Sequence, residues 1–240
     1  MIVEFEYPTV LEDYYGDGLL KVEALFKILE NAGNKHSDTV GDSIIAGSNA
    51  GYAWVLTDWY VEIDTYPKYG DTLKSCTWSN GAYSPFTTMR HFELYANGTC
   101  CARGTSRWIV LDLKTNHPKK IDADLLKQYE PEEKLVFSDN KLPKLHQVET
   151  SLLQTMLQPR RNDIDFNNHV HNLVYIDYAM EALPKEVYQS HNFKSVRIAY
   201  KTQVREGETM HVTYSFVDNT HVVHIYGEDH ELKTVVEFVT

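Results

Sequence analysis

The sequence follows one plan twice: a helix-forming segment and then several short strand-forming segments. In the first half, apolar residues recur at helical spacing over residues 19–32, and Gly33 predicts the end of that helix. Strand-forming runs rich in Trp, Tyr, Val and Ile follow over residues 54–111. The dipeptides Asn80-Gly81 and Asn97-Gly98 predict turns, because Asn-Gly favours the positive φ angles of a tight hairpin. Such short connections force antiparallel neighbours.

The second half repeats this order. Residues 170–183 predict a largely buried helix that Pro184 ends, and strand-forming runs follow over residues 195–239. A local echo supports the repeat, because Gly70-Asp71-Thr72-Leu73 and Gly207-Glu208-Thr209-Met210 occupy the same place in the two plans. The sequence therefore predicts an α+β protein of two related domains, each a long helix packed against an antiparallel sheet.

The domain boundaries follow from a shift in composition. The segment 131–145 is charged and contains proline, which is typical of a linker. We expect a first domain over residues 1–130 and a second over residues 146–240.

Composition limits the classes of function. The chain carries 23 Lys and Arg against 34 Asp and Glu, a net charge of −11, which argues against a nucleic-acid binder. Cys76, Cys100 and Cys101 form no Cys-x-x-Cys pair and predict neither a disulfide framework nor a zinc site. The N-terminal residues lack signal-peptide features, and no apolar run approaches the ~18 residues of a membrane span. We therefore expect a cytoplasmic protein with reduced thiols.

The densest polar cluster runs from Arg160 to His169, directly before the second helix-forming segment. In one interpretation Asn167 or Asn168 is a helix N-cap and the charges are simply solvated. In the other, the helix N-terminus presents free N–H donors and a positive dipole end, which stabilise developing negative charge on a carbonyl oxygen. His169, expected in the first helical turn, would then act as a general base near neutral pH.

The same cluster does not predict a metal site. The run 163–174 begins like a calcium loop, but its sixth residue is Asn168 rather than Gly and its twelfth is Val174 rather than Glu. His169 and His171 lie two residues apart, so they do not share a helix face, and no third zinc ligand is placed. We expect neither a metal nor a cofactor.

A family resemblance becomes visible at this cluster. The run Asp165-Phe166-Asn167-Asn168-His169-Val170-His171-Asn172 resembles the signature of the plant and bacterial acyl-ACP thioesterases. The resemblance extends along essentially the whole chain, through Tyr175, Glu181, Pro184, Trp54-Val55-Leu56, Tyr66-Pro67, Gly70-Asp71, Arg103-Gly104-Thr105-Ser106 and Trp108. It implies two tandem hotdog domains, each a long central helix wrapped by an antiparallel sheet. It also implies hydrolysis of the thioester between a fatty acyl chain and acyl carrier protein (ACP) in fatty acid biosynthesis.

By this resemblance, Asp165, Asn167 and His169 are catalytic residues. The family usually has a glutamate and then a cysteine in the strand after the helix, whereas this chain has Gln203 and Val204 there. Valine cannot be a nucleophile and glutamine cannot take a proton, so we expect direct attack by water. His169 would be the base and Gln203 would position the water. Asn167 and helix N-terminal N–H groups would bind the thioester carbonyl, and Asp165 would orient the amide or the imidazole.

Substrate contacts are expected in both halves. The acyl chain would lie in an apolar tunnel near Trp54, Trp59 and the first helix, although core packing is the other interpretation of these aromatic residues. Arg161 is expected to bind substrate. Residues 158–205 have a small local excess of basic residues, which would steer acidic ACP to the site; scattered surface charge is the alternative.

Two further functions stay open from the sequence. Hydrolysis of acyl-CoA is one, because both carriers present the same pantetheine thioester. A non-catalytic double hotdog that binds acyl chains or carriers is the other, because Gln203 replaces a carboxylate. Acyl chain length depends on tunnel shape and is not readable, and a homodimer is possible.

Overall fold

The computed structural model describes residues 1–148, 150–165 and 168–240, which divide into unit 1 (Met1–Leu142) and unit 2 (Pro143–Thr240). Unit 1 contains β1 (Val3–Tyr7), α1 (Val22–Thr39), α2 (Ile44–Asn49), β2 (Tyr52–Ile63), β3 (Leu73–Ser84), β4 (Thr87–Ala96), β5 (Thr99–Asp112), β6 (His117–Lys119) and α3 (Ala123–Lys127). Unit 2 contains β7 (Leu153–Leu157), α4 (Val174–Glu181), α5 (Lys185–Ser190), β8 (Ser195–Tyr200), β9 (Met210–Val217), β10 (Thr220–Tyr226) and β11 (Leu232–Val239).

The strands of each unit pair in the same order. In unit 1 the order is β1-β3-β4-β5-β2, with β6 also paired to β5, and in unit 2 it is β7-β9-β10-β11-β8. The pairings within each unit are antiparallel. Helix α1 contacts β1, β3 and β4, and α4 contacts β10 and β11. The predicted α+β arrangement, a helix against an antiparallel sheet in each repeat, is confirmed.

The tight turns form where positive φ angles are needed. Asn97 (φ 50°) and Gly98 (φ 82°) join β4 to β5, and Asp218 and Asn219 (φ 48° and 62°) join β9 to β10. The turn predicted at Asn80-Gly81 is wrong, because β3 continues to Ser84 and the dipeptide lies at a shift in its register with β4. Such a bulge accepts a left-handed residue without reversing the chain.

Helix α1 does not end at Gly33 as predicted but continues to Thr39. Gly33 is buried, and a Cβ atom there would lie 3.4 Å from Cδ of Arg90 and 3.6 Å from Cε1 of Phe92. One turn later His36 is also buried, with its Nδ1 2.9 Å from Nη1 of Arg90. Contacts with β4 therefore extend the helix beyond the residue at which local propensity alone would end it.

The first part of the expected linker is bound to unit 1. The Glu132 N–H donates to the Ser79 carbonyl oxygen (2.9 Å), and the Asn80 side-chain amide donates to the Glu132 carbonyl oxygen (2.7 Å). The Trp78 indole N–H donates to the Lys134 carbonyl oxygen (2.8 Å). These bonds hold the segment along β3, which explains why the compact unit extends to Leu142.

Two glycines, Gly33 within α1 and Gly104 packed against it, give a stability test of this packing. At Gly104 an added Cβ would lie 3.0 Å from Cγ2 of Val61 and 3.4 Å from Cδ1 of Leu29, so Gly104→Ala should lower the free energy of unfolding by about 1–3 kcal/mol. At Gly33 the contacts are ordinary, so Gly33→Ala should raise it by roughly 0.5–1 kcal/mol through helix propensity. Urea unfolding measures both, and effects of the same sign would contradict the packing described.

Candidate active site

Two of the predicted catalytic residues, Asp165 and His169, lie in the described parts of residues 163–171, which are 163–165 and 168–171 (the unit 2 loop). The Asp165 N–H donates to the His169 carbonyl oxygen (2.8 Å), and the Asn168 N–H donates to the Asp165 carbonyl oxygen (3.0 Å). The His171 N–H closes the loop on the Asp163 carbonyl oxygen (2.9 Å). Asn168 has a φ of 61°, a left-handed conformation that Asn adopts more readily than most residues. Residues 166 and 167, including the predicted site residue Asn167, lie outside the described residues.

The same hydrogen bonds occur in unit 1 at residues 13–21 (the unit 1 loop). Their lengths are 2.8, 2.9 and 2.8 Å, and they join Tyr15 to Leu19, Gly18 to Tyr15 and Lys21 to Asp13. Each loop follows a short 3-10 helix whose last residue is a buried aspartate, Asp13 or Asp163. The loop is therefore a repeated element of the fold, and its backbone geometry does not depend on the catalytic residue types.

Each loop pairs with a second segment of its own unit. His169 forms an antiparallel bridge with Arg205, and the Val170 N–H donates to the Val204 carbonyl oxygen (2.9 Å). The counterparts in unit 1 are the bridge between Leu19 and Lys68 and the bond from Leu20 to Pro67 (2.8 Å). The residues that bear the sequence echo follow directly, with Gly70 and Gly207 at φ angles of 93° and 81°.

The prediction that His169 lies in the first turn of a helix is wrong. Helix α4 begins at Val174, whereas His169 and Val170 lie in antiparallel bridges. Their N–H groups and that of His171 bond to a side-chain oxygen of Asp165 (3.3 Å) and to the Val204 and Asp163 carbonyl oxygens. These three donors are therefore occupied within the fold, and they do not form the helix N-terminal carbonyl site that the sequence suggested.

The His169 imidazole is half-buried, and its two nitrogens differ. Nδ1 is buried and has no hydrogen-bond partner among the described residues. Nδ1 is therefore the nitrogen that a neighbouring group would orient. The Asp165 carboxylate lies beside this residue, because it receives the His169 backbone N–H at 3.3 Å.

Sequence analysis missed the buried carboxylate that anchors the loop. Asp163 receives the Arg160 N–H (2.8 Å) and side-chain Nε (3.0 Å) and the Tyr178 hydroxyl (2.6 Å). Burial by itself raises the pKa of Asp163, but the bonds from Arg160 and Tyr178 outweigh it and hold the pKa below its usual range. An alignment of the two halves on Asp13 and Asp163 is the signal that would have found it.

The family-motif tyrosine Tyr175 has a definable role. Its hydroxyl receives the Val204 N–H at 2.9 Å, and burial raises the pKa of Tyr175 to about 12. In unit 1 the corresponding residues are Leu25 and Pro67, and proline has no N–H to satisfy. Tyr175 therefore supplies the acceptor that the segment paired with His169 requires in unit 2.

Gln203 lies outside the strand in which the sequence pattern places it. Strand β8 ends at Tyr200, so Gln203 lies in an exposed connection two residues before Arg205, while Val204 is completely buried. Glu208, in the turn that follows, receives the Arg205 N–H (3.1 Å) and lies 3.6 Å from the Lys233 amine. These contacts give Glu208 a structural function in the turn.

The residues expected to contact substrate lie in both units. Trp59 is completely buried in unit 1, with ring centroids 5.6 Å from Phe26 and 4.8 Å from Phe92, which is a core position. Trp54 is half-buried and donates its indole N–H to Asp42 (2.7 Å). Of the three, Arg161 alone belongs to unit 2 and is exposed, in the 3-10 helix that precedes the loop.

The cysteines are poor nucleophiles in this structure. Burial raises the pKa of Cys76 to about 11 and that of Cys101 to about 12, and it also raises the pKa of Cys100. Thiols with such values are protonated near neutral pH. The three residues lie in β3 and β5 of unit 1, whereas His169 lies in unit 2.

Metal clusters and membrane-spanning helices were both considered within the described ranges. No group of three or more His, Cys, Asp or Glu side chains there is arranged to hold a metal ion. None of the helices in those ranges has the length and apolar composition needed to cross a bilayer.

The chain belongs to the acyl-ACP thioesterase family. The family model for the acyl-ACP thioesterase N-terminal domain matches residues 3–129, and the model for the C-terminal domain matches residues 146–237. The predicted family is therefore confirmed on both halves of the chain.

Curated relatives agree with this assignment, and a solved structure has the same fold. Oleoyl-acyl carrier protein thioesterase 1, chloroplastic, of Arabidopsis thaliana is 26% identical over 211 residues, which are 79% of this chain and 57% of that protein. Palmitoyl-acyl carrier protein thioesterase, chloroplastic, of Cuphea hookeriana is 31% identical over 62% of this chain and 38% of its own. The 12:0-ACP thioesterase from Umbellularia californica has the same fold, with a TM-score of 0.89 at 19% identity, covering 99% of this chain and 96% of that one. This chain spans little more than half the length of the Arabidopsis relative.

The Tyr175 contact gives a test of the loop's support. Tyr175→Phe leaves the buried Val204 N–H without its acceptor, which should lower the free energy of unfolding by about 1–3 kcal/mol. Because Val204 pairs with the loop that bears His169, we expect kcat for the thioester hydrolysis proposed below to fall while KM changes little.

The matched control is Tyr214→Phe, which removes a buried hydroxyl 3.0 Å from Nδ1 of His221 in the same unit. It should lower stability without a specific loss of kcat. Equal kcat values for the two variants would show that Tyr175 does not support the site.

Proposed function

We propose that this chain hydrolyses the thioester of fatty acyl-ACP and releases the free fatty acid and ACP, as a hydrolase of fatty acid biosynthesis. One observation carries the proposal beyond family membership. The same hydrogen-bonded loop occurs in both units, but only in unit 2 does it hold an imidazole and a carboxylate, His169 and Asp165, where unit 1 has Leu19 and Tyr15. A backbone that both units share, with different side chains in each, is what we expect when only one copy of the loop is active.

In the proposed reaction, water attacks the thioester carbonyl carbon directly. Nε2 of His169 takes the proton from the attacking water, because Nδ1 is buried. Collapse of the tetrahedral intermediate breaks the carbon–sulfur bond, and the same proton passes from the imidazolium to the departing thiolate. Asp165 holds the loop around His169, and Gln203 positions the water through its amide, which accepts and donates hydrogen bonds but takes no proton.

Charge stabilisation in this proposal comes from side chains rather than from a helix N-terminus. The N–H groups of residues 169–171 are bonded within the fold, so the Asn167 amide is the group proposed to hold the thioester oxygen. A cysteine acyl-enzyme is disfavoured because the raised thiol pKa values and the valine at position 204 leave no activated sulfur in unit 2.

The carrier and the acyl chain complete the proposal. Arg161 is exposed beside the loop and is proposed to attract the acidic carrier, and Trp54 and Trp59 are proposed to border the acyl chain in unit 1. The predicted cytoplasmic location is part of the proposal, supported by the three cysteines, which are free thiols.

Thiol release from a matched panel of acyl-ACP and acyl-CoA substrates tests this function. We expect turnover with acyl-ACP, at a higher kcat/KM than with acyl-CoA of the same chain. Added salt should reduce this advantage, because exposed charges are screened beyond ~8–10 Å. Equal rates on both carriers would point to an acyl-CoA thioesterase, and binding without release would point to the non-catalytic alternative.

Charge reversal separates docking from chemistry in the same assay. Arg161→Glu should raise KM for acyl-ACP and leave the rate on acyl-CoA unchanged. Lys114→Glu, at an exposed lysine of unit 1, is the control for net charge alone and should have little effect. Equal changes from both variants would remove Arg161 from the docking site.

A further inference from the structure

The two sheet edges, β1 and β7, are equivalent in the repeat but differ in charge. Strand β1 pairs with β3 and β7 pairs with β9, and within the described ranges neither has a partner on its other side. The registers make Glu4 the counterpart of Gln154 and Glu6 the counterpart of Met156, since Tyr7 faces Leu73 where Leu157 faces Met210. An edge strand exposes unpaired N–H and C=O groups, which are a template for another strand.

Strand β1 is protected against such pairing. Glu4 and Glu6 are exposed on the same face of the strand. A hydrogen bond and the charge of Lys74 hold the pKa of Glu4 below its usual range, so this carboxylate is ionised at neutral pH. If two copies of β1 paired antiparallel about Phe5, Glu4 of each would lie opposite Glu6 of the other, and like charges directly opposite destabilise a sheet.

Strand β7 has no such protection. Residues 150–158 read Thr-Ser-Leu-Leu-Gln-Thr-Met-Leu-Gln and carry no charge, in a chain whose net charge is −11. Large apolar side chains along the segment are exposed: Leu152 by 65%, Leu153 by 51% and Met156 by 63%. Natural edge strands usually carry charges or irregularities that prevent association, so a neutral, apolar edge requires a partner to explain it.

We propose that β7 is the surface through which two copies of this chain associate, by antiparallel pairing of β7 with β7 about a two-fold axis at Thr155. This register places Gln154 opposite Met156 of the second copy and Leu153 opposite Leu157 of the second copy, with no like charges facing. The contact is self-complementary, as a two-fold interface must be. Because each copy carries −11, the neutral edge is also where mutual repulsion is weakest. This inference does not depend on the proposed function.

Transfer of the unit 1 charges to unit 2 tests the proposal. In sedimentation velocity over a wide range of concentration, the native chain should show a monomer–dimer equilibrium. Gln154→Glu with Met156→Glu gives β7 the two carboxylates that β1 tolerates at the same positions, so folding should be preserved. The dimer should then weaken measurably, by up to roughly thirtyfold in Kd, since each of the two facing pairs costs up to ~1 kcal/mol.

The matched control is made on the other edge. Glu4→Gln with Lys74→Gln removes a charge from β1 and the charge of its ion-pair partner on the adjacent β3, and it should leave the dimer intact. A native chain that is monomeric at all concentrations overturns the proposal. A dimer that the β7 carboxylates do not weaken, or that the β1 control weakens equally, also overturns it.

A single cysteine tests the register. Thr155 lies on the proposed axis, so Thr155→Cys would bring two Cα atoms within ~4.5–5.5 Å of each other, which is disulfide distance. Mild oxidation should give a covalent dimer, whereas Phe5→Cys at the equivalent place in β1 should not. Equal cross-linking at both positions, or none at Thr155→Cys, would contradict the register.

Discussion

The proposed active-site loop depends on one backbone pairing, the antiparallel contact between residues 169–170 and residues 204–205. The bond from the Val170 N–H to the Val204 carbonyl oxygen and the bridge between His169 and Arg205 attach His169 to the rest of unit 2. The same pairing in unit 1, between Leu20 and Pro67, shows that the fold supplies it irrespective of catalytic residues. The proposed catalytic side chains therefore lie on a backbone element that both units share.

This arrangement explains how side chains around the pairing differ between the units. Unit 1 has Leu25 and Pro67, which need no hydrogen bond, where unit 2 has Tyr175 and an N–H at Val204. The two differences go together, since the proline nitrogen has no N–H group that could donate a hydrogen bond to a tyrosine hydroxyl. Buried Asp163 then fixes the other end of the loop through Arg160 and Tyr178.

The sequence predicts the structure correctly at positions where the conformation depends on neighbouring residues alone. Asn97-Gly98 forms a hairpin because its positive φ angles are needed at that point whatever the rest of the chain does. The helix end predicted at Gly33 is wrong, because contacts with β4 stabilise α1 beyond that residue. The turn predicted at Asn80-Gly81 is wrong, because the dipeptide forms a bulge within β3. The sequence predicts a helix at His169, but the structure has a bridge to Arg205 there, which joins residues far apart in sequence. No local pattern reports such a pairing. The family and the α+β repeat were predictable, because both are expressed in motifs and order along the whole chain.

The central claim is that one of two equivalent loops performs hydrolysis, with His169 as its base. The direct measurement is kcat/KM for acyl-ACP in His169→Ala and Leu19→Ala, which truncate the corresponding half-buried residues of the two loops. Both variants should remain folded by circular dichroism. Loss of a general base predicts a decrease of roughly 10²–10⁴ in His169→Ala and only a small change in Leu19→Ala. Near-normal turnover in folded His169→Ala, or an equal loss in both variants, would contradict the account.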